Sequence, residues 1–362
     1  MSVPPWLVTT GAFVVALGIL VFVHELGHFA VAKRLGVKVL RFSIGFGPIV
    51  WARRRGETEY AISALPLGGY VKMLGEDDDG DAAAEPERSF ATQPLRRRAA
   101  IVAAGPVMNF LFAFVVYAIL FAAVGAEVPS TEPRVGGVAA GSAAERAGLQ
   151  VHDRVLAVDG TPVATWEALA TAVRQSGGRT LRLDVARAGT EETIVVEVTP
   201  QLSETRNLFG EDTGEVWMIG IEASRDWQRV GPIQATAMAA RQTVLASGIV
   251  FQGLALMVQG RVPLKELGGP IAIARAAGQQ ARAGTRYFLS MLAFLSINLG
   301  VLNLLPIPAL DGGHLALFGV EAVMRRPLRP RHRELAQQLG IILLLTLMLF
   351  VFYNDIHRLV QG

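Results

Sequence analysis

His24, Glu25 and His28 are the residues of this chain whose types and spacing could act together chemically. On a helix, positions four apart share a face. The imidazoles of His24 and His28 can therefore take adjacent corners of one tetrahedral zinc site, with Glu25 beside them in reach of a water at the metal. The run His24-Glu25-Leu26-Gly27-His28 has the HExxH spacing of zinc hydrolases. Two histidines do not complete such a site, because a catalytic zinc takes three protein ligands and keeps one position open. The chain has no cysteine and only six histidines, so the third ligand is to be sought among His, Asp and Glu elsewhere.

The element that must carry the motif is apolar. Met1 to Val23 holds no charged side chain, and with the motif and Phe29-Ala30-Val31-Ala32 it is long enough to cross a bilayer, giving a first helix over 1–32. It lacks the basic start and small-residue cleavage site of a removable signal peptide, and so is expected to stay as the first span. Ionisable groups inside a membrane are costly to keep there and mark function. The first Lys is Lys33, and the nine residues from His24 at about 1.5 Å each set the site roughly 13 Å inside that basic edge. With 51% apolar residues and a net charge of +3, the whole chain reads as a multi-pass protein whose standing partner is the lipid bilayer, and not as a nucleic-acid binder.

The loop 33–98 carries twelve Lys or Arg, including Arg53-Arg54-Arg55 and Arg96-Arg97-Arg98, which assigns it to the cytoplasm. Within it, 41–50 and 59–73 alternate apolar and small residues with Gly and Pro, the pattern of short strands in a hairpin-like sheet. These strands are too apolar to float freely. A sheet dipping into the membrane could offer an open edge to an extended substrate, and an ordinary cytoplasmic hairpin is the other reading. Glu76–Glu87 reads as an acidic, mobile linker. Ala99–Ala126 is a second uncharged run, of 28 residues. Its Gly105 and Pro106 would allow close helix approach and a kink, and its Asn109 a hydrogen bond to a neighbour.

From about 130 to 200 the texture is that of a small α+β module with short strands, a turn at Val158-Asp159-Gly160-Thr161-Pro162 and an amphipathic helix from Thr165. His152 there reads as a surface histidine. Residues 201–284 read as a connector. Its Trp217 and Trp227 are expected at the outer interface, and its uncharged piece Gln242–Gly260 is expected to lie on the surface or against the bundle, because a crossing there would put Arg325, Arg326, Arg329, Arg331 and Arg333 outside. A third span, within 285–316, contains Tyr287–Leu310 and is broken near its inner end by Pro306, Pro308, Gly312 and Gly313. Asp311 lies at that break, on the side where His24 and His28 sit, and is expected as the third ligand by this topology, a helix cap being the other reading. Asn303 could reach a substrate backbone or developing oxyanion, or simply join helices by its amide. His314 is expected near the site but not as a fourth ligand. A last span over 335–357 makes four, with both termini and the module outside.

The stretch 130–200 resembles a PDZ domain through Ala147-Gly148-Leu149, Asp153-Arg154-Val155 and Val158-Asp159-Gly160, with His152 where that type usually has Gly. The chain as a whole resembles the site-two protease family of intramembrane zinc metalloproteases, close to the bacterial regulator-of-sigma-E group. The likeness is carried by 23–39, 42–48, Pro66–Met73, Ala104–Phe110, Gly268–Ala274 and Asn303–His314. It implies a polytopic α-helical protein of the bacterial inner membrane. One zinc would be held by His24, His28 and Asp311, with Glu25 catalytic and Asn303 positioning substrate. It also implies that 59–73, with Pro66, Leu67, Gly68, Gly69 and Tyr70, is a membrane-re-entrant β element facing the substrate. Substrates in that family are single-pass proteins, such as an anti-sigma factor already trimmed outside, or remnant signal peptides. The chain has one PDZ-like module where some relatives have two. Two other readings of the same residues are an intramembrane metal or proton transporter and a catalytically silent PDZ adaptor, distinguished by metal flux and by absence of bound zinc.

Overall fold

The computed structural model describes residues 4–76, 85–189, 192–206, 212–263, 268–326 and 328–361, so most of the acidic linker expected at Glu76–Glu87 lies outside the described residues. The chain divides into two compact units, Met1–Ala123 with Pro232–Gly362, and Val124–Gly231.

The first unit opens with α1, Pro5–Arg34, which has Pro at its first position and is followed by Gly36 at φ 81°. Proline there loses no helical bond, and the left-handed glycine stops the helix before the next strand. Two long strands follow, β1 (Val39–Arg55) and β2 (Thr58–Met73). They are longer and more bent than short hairpin strands. Arg41–Ile44 pairs with Gly69–Lys72 on one side and with Glu59–Ile62 on the other, and Glu59–Ile62 is bordered in turn by Trp51–Arg54. Each strand therefore contributes twice to one sheet, with Gly69–Lys72 at an outer edge. Gly45 (φ 91°) and Gly68 (φ 129°) make the bends in conformations that a side chain would strain.

Helix α2, Leu95–Val124, contains Pro106. Further along the chain come α5 (Pro232–Val258), α6 (Pro270–Ala283) and α7 (Thr285–Asn303). Helices α8 (Asp311–Met324) and α9 (Pro330–Gln361) complete the unit. Ala16 and Leu20 of α1 pack with Leu292 of α7, while Ala113, Val116 and Tyr117 of α2 pack with Ala239 and Ala246 of α5 and Ala293, Ile297 and Val301 of α7. The broken third span is resolved into two helices. Helix α7 stops at Asn303, and α8 begins afresh at Asp311. Pro306 and Pro308 can supply no N–H to continue a helix across the intervening loop. Among the described residues, five helices (α1, α2, α5, α7 and the 331–360 part of α9) are long and apolar enough to cross a membrane, one more than the four spans expected. The addition is α5, a continuous helix over the piece expected to lie on the surface or against the bundle.

The second unit reaches beyond 130–200. Its sheet runs β6 (Thr161–Pro162), β5 (Arg154–Val158), β7 (Leu181–Ala186), β8 (Thr193–Val198). Helices α3 (Ala143–Arg146) and α4 (Trp166–Arg174) are capped by the hydroxyls of Ser142 and Thr165. The supposed connector supplies strands to this unit. Strand β11 (Ile221–Ala223) pairs with β4 (Val135–Val138), β12 (Arg225–Gln228) pairs with β3 (Ala126–Pro129), and β9 (Gln201–Arg206) pairs with β10 (Asp212–Met218). Ile219 is buried in the same core as Leu149, Leu169, Leu181 and Leu183. Trp217 packs its ring on Gly178, within the unit; Trp227 is exposed.

Candidate metal centre

Helix α1 delivers His24 and His28 one turn apart, both buried, with Nε2 atoms 3.2 Å from each other. Asp311 opens α8, and its Oδ2 lies 3.1 Å from His24 Nε2 and 3.5 Å from His28 Nε2. Ligands about 2.0–2.1 Å from one zinc are separated by about 3.3–3.4 Å along the edges of a tetrahedron, and the three observed separations bracket that value. Asp311 Oδ2 is buried and accepts no hydrogen bond, although two ring nitrogens face it. Two imidazole nitrogens and a carboxylate oxygen converging on one point form a donor set that fits a divalent cation such as zinc. Among the described residues this is the one such group of His, Asp and Glu side chains.

Helix α2 forms the wall behind the two rings. His28 Nδ1 donates to the carbonyl of Ile101 at 2.8 Å, which fixes the proton on Nδ1 and leaves the Nε2 lone pair toward the centre. One turn on, Gly105 has no side chain where a Cβ would fall 2.3 Å from His28 Nε2 and 2.8 Å from His24 Cε1. Another turn on, Asn109 is fully buried with its side-chain amide 3.1 Å from His24 Nδ1. The two helices approach this closely because Gly27 of α1 also lacks a side chain; a Cβ there would lie 2.3 Å from the Ala104 carbonyl oxygen. Pro106 leaves the Val102 carbonyl without its helical N–H and interrupts the ladder next to the carbonyl that holds His28. Ser296 of α7 donates to the Asn109 backbone carbonyl at 2.9 Å and steadies this stretch from behind.

The two glycines after Asp311 set its position. A Cβ on Gly312 would fall 2.3 Å from the Leu304 and Leu305 carbonyl oxygens, and one on Gly313 would fall 2.2 Å from that of Ile307. The loop after α7 therefore lies directly on the first turn of α8. At the far end of α8, buried Glu321 binds Arg98 of α2 at 3.0 Å and also Arg333 of α9.

Glu25 faces the β sheet. A Cβ on Gly69 would come within 3.0 Å of Glu25 Cγ and 2.8 Å of Val21 Cγ1, so the Gly69–Lys72 edge is seated against α1 beside the motif. Tyr70 stacks on Phe46 and its hydroxyl accepts from Arg41 at 3.2 Å, and Gly68 passes over the Phe46 ring. The side chains of Pro66 and Leu67 lie outside the described ones. Asn303 is the last residue of α7, half-buried and without a side-chain hydrogen bond to the described residues, and is not among the groups gathered at the centre. His314, half-buried on α8, is likewise outside the gathered set. Sequence reasoning did not find the Ile101 carbonyl or the anchors Glu321 and Asp355. The last two had a signal, each being an acid inside or bordering an apolar helical run.

The sequence profile described as Peptidase family M50 matches residues 12–347. A protein of Mesorhizobium japonicum named "Putative zinc metalloprotease" is 39% identical over 361 residues, covering 95% of this chain and 97% of that protein. The regulator of sigma-E protease RseP of Salmonella typhimurium is 32% identical and that of Escherichia coli 31%, each alignment covering 96% of this chain and 98% of the relative.

Proposed function

Because the chain belongs to peptidase family M50, the site-2 proteases, and is a zinc metalloprotease of membranes, we propose that it cleaves peptide bonds within or beside the membrane segment of single-pass proteins. The observation that carries this reading is the tetrahedral spacing of His24, His28 and Asp311 with Glu25 alongside. One zinc per chain, held by those three side chains, would supply a Lewis acid for the scissile carbonyl and bring the pKa of a water down to about 7. Glu25 takes a proton from the attacking water and returns it to the leaving amine. The outer strand edge at Gly69–Val71, which lies beside Glu25, holds the substrate extended by strand addition. That pairing exposes a carbonyl which a helical substrate keeps in its own hydrogen bonds. Asn303 contributes its free amide to the substrate backbone. The substrates fitting this site are an anti-sigma factor already trimmed outside, or a remnant signal peptide, and the PDZ-like unit faces the extracytoplasmic side.

Topology follows from the site. Ala16 and Leu20 of α1 meet Leu292 of α7, and further along both helices His24 meets the Asp311 that follows α7, so α1 and α7 run parallel. Helix α2 returns the chain outward between them. The segments α5 and α6 must then cross an even number of times, and α6, at 14 residues and about 21 Å, is too short to cross. Helix α5 therefore does not complete a span, and four crossings remain in the inner bacterial membrane. The pairing of Arg98 and Arg333 with one Glu321 supports reading the basic segment 325–333 on the same side as the basic loop, the cytoplasm.

The test is Glu25→Gln assayed on a single-pass model substrate in vesicles. Cleavage falls by at least about 10²-fold, the scale of general acid–base catalysis, while zinc content stays at wild type. Wild-type turnover in this variant would exclude the mechanism.

A further inference from the structure

We propose that Asn109 is a positioning residue that fixes the tautomer and ring angle of His24 for metal ligation, by accepting a hydrogen bond from His24 Nδ1. The inference rests on zinc being held by His24, His28 and Asp311. His24 turns Nε2 toward Asp311 Oδ2 at 3.1 Å and His28 Nε2 at 3.2 Å, so Nε2 must offer its lone pair to the metal. A neutral imidazole that ligates through Nε2 carries its proton on Nδ1. Whatever faces Nδ1 must then accept. The group facing it is the Asn109 amide, 3.1 Å away and fully buried.

The two atoms of that amide are distinguishable only through their partners. With Nδ2 toward the ring, Nδ2 would donate to Nδ1, force the proton onto Nε2 and block ligation; the same placement leaves Oδ1 buried without a hydrogen-bond partner. With the amide turned over, Oδ1 accepts from Nδ1–H and Nε2 is free for zinc. Metal binding thus selects one amide orientation. Helix α2 then treats the two histidines alike, with the Ile101 carbonyl accepting from His28 Nδ1 and the Asn109 carboxamide from His24 Nδ1. Residues 101, 105 and 109 form one stripe, with Gly105 between the acceptors as the gap in which the rings sit.

The proposal is tested by zinc affinity of the full-length protein in detergent, using chelator competition, and by the visible spectrum of the cobalt-substituted form. Asn109→Leu keeps the shape but cannot accept. It weakens zinc binding about 10- to 100-fold and alters the cobalt bands, the range for loss of a partner that orients a ligand. Asn109→Asp presents only acceptors and retains wild-type affinity or better with an unaltered tetrahedral spectrum. If Asn109→Leu does not fold, Asn109→Asp decides alone, since a residue that served His24 as donor would lose zinc at least tenfold on that change. Wild-type zinc affinity in Asn109→Leu, or loss in Asn109→Asp, overturns the role of Asn109 while leaving the zinc site standing. Absence of zinc from the wild-type protein, or binding unaffected by Asp311→Ala, would instead overturn the site itself and this inference with it.

Discussion

At the scale of single residues the centre depends as much on missing side chains as on ligands. Gly105 is the sharpest case. A methyl group there would sit 2.3 Å from His28 Nε2 and 2.8 Å from His24 Cε1, so Gly105→Ala must push α2 back or rotate both rings. Overpacking of this kind costs about 1–3 kcal/mol, and displaced ligands lose metal. The variant should bind zinc at least about tenfold more weakly, on the scale seen when ligand orientation is disturbed. Gly18→Ala on α1, where a Cβ meets nothing within 4 Å, is the matched control and should leave binding unchanged. Chelator competition on the two proteins separates them, and equal affinities would show that α2 yields without cost. The ligands were legible in the sequence because their chemistry restricts residue type. His24 and His28 carry a helical spacing, and Asp311 stands where two prolines and two glycines break an apolar run. The Ile101 carbonyl left no trace there, since every residue has one, and the room over Gly105 is a property of two helices together.

At the scale of elements, the short helix α6 is held by a carboxylate reaching from elsewhere in the chain. Helix α6 has Gly269 at its N-cap and no side-chain cap of its own. Asp355, buried near the end of α9, accepts from the backbone N–H groups of Gly269 at 3.0 Å, Ile271 at 2.9 Å and Ala272 at 3.2 Å. Gly269 is required by this approach, a Cβ there falling 2.5 Å from Asp355 Oδ2. The donors belong to a helix N-terminus, so the anion is favoured by the helix dipole as well as by the bonds. Replacing it with leucine leaves buried N–H groups unpaired at about 1–3 kcal/mol each, whereas asparagine keeps one accepting oxygen and loses the charge and the second acceptor. Thermal unfolding in detergent should therefore rank wild type above Asp355→Asn above Asp355→Leu. Identical midpoints for all three would mean that α6 does not depend on this cap. Helix α6 also packs on α1, with Gly278 against Thr9, so the cap steadies the helix that carries the motif. Neither the cap nor the pairing of β11 with β4 is visible in local sequence, because each joins segments some 80 residues apart. The polar alternation of 201–231 accordingly read as a connector, although Ile219 closes the second unit's core.

For the whole molecule the open quantity is the number of crossings, for which length and composition give five candidates and the proposed topology four. Helix α5 has the length and apolarity of a span, yet a crossing there would carry Asp311 to the side of the membrane opposite to His24 and His28, with which it shares a 3.1–3.5 Å contact. Charge gives the same answer independently, since it keeps the arginines of 325–333 with those of 53–55 and 96–98. Helix α5 packs Ala239 and Ala246 against α2 and α7, and on the proposed topology it returns the chain to the side from which it came. The natural absence of cysteine makes this directly measurable. Single substitutions at exposed positions, Arg54→Cys, Val151→Cys, Gln259→Cys and Arg326→Cys, can each be labelled with a membrane-impermeant maleimide in intact and in opened cells. Gln259→Cys should react in intact cells whose outer membrane is permeable, as Val151→Cys does, while Arg54→Cys and Arg326→Cys react only after the inner membrane is opened. Labelling of Gln259→Cys with the second group would establish α5 as a crossing helix. It would then require the contact between Asp311 and the two histidines to be abandoned, because no even path would remain to bring α7 back to their side.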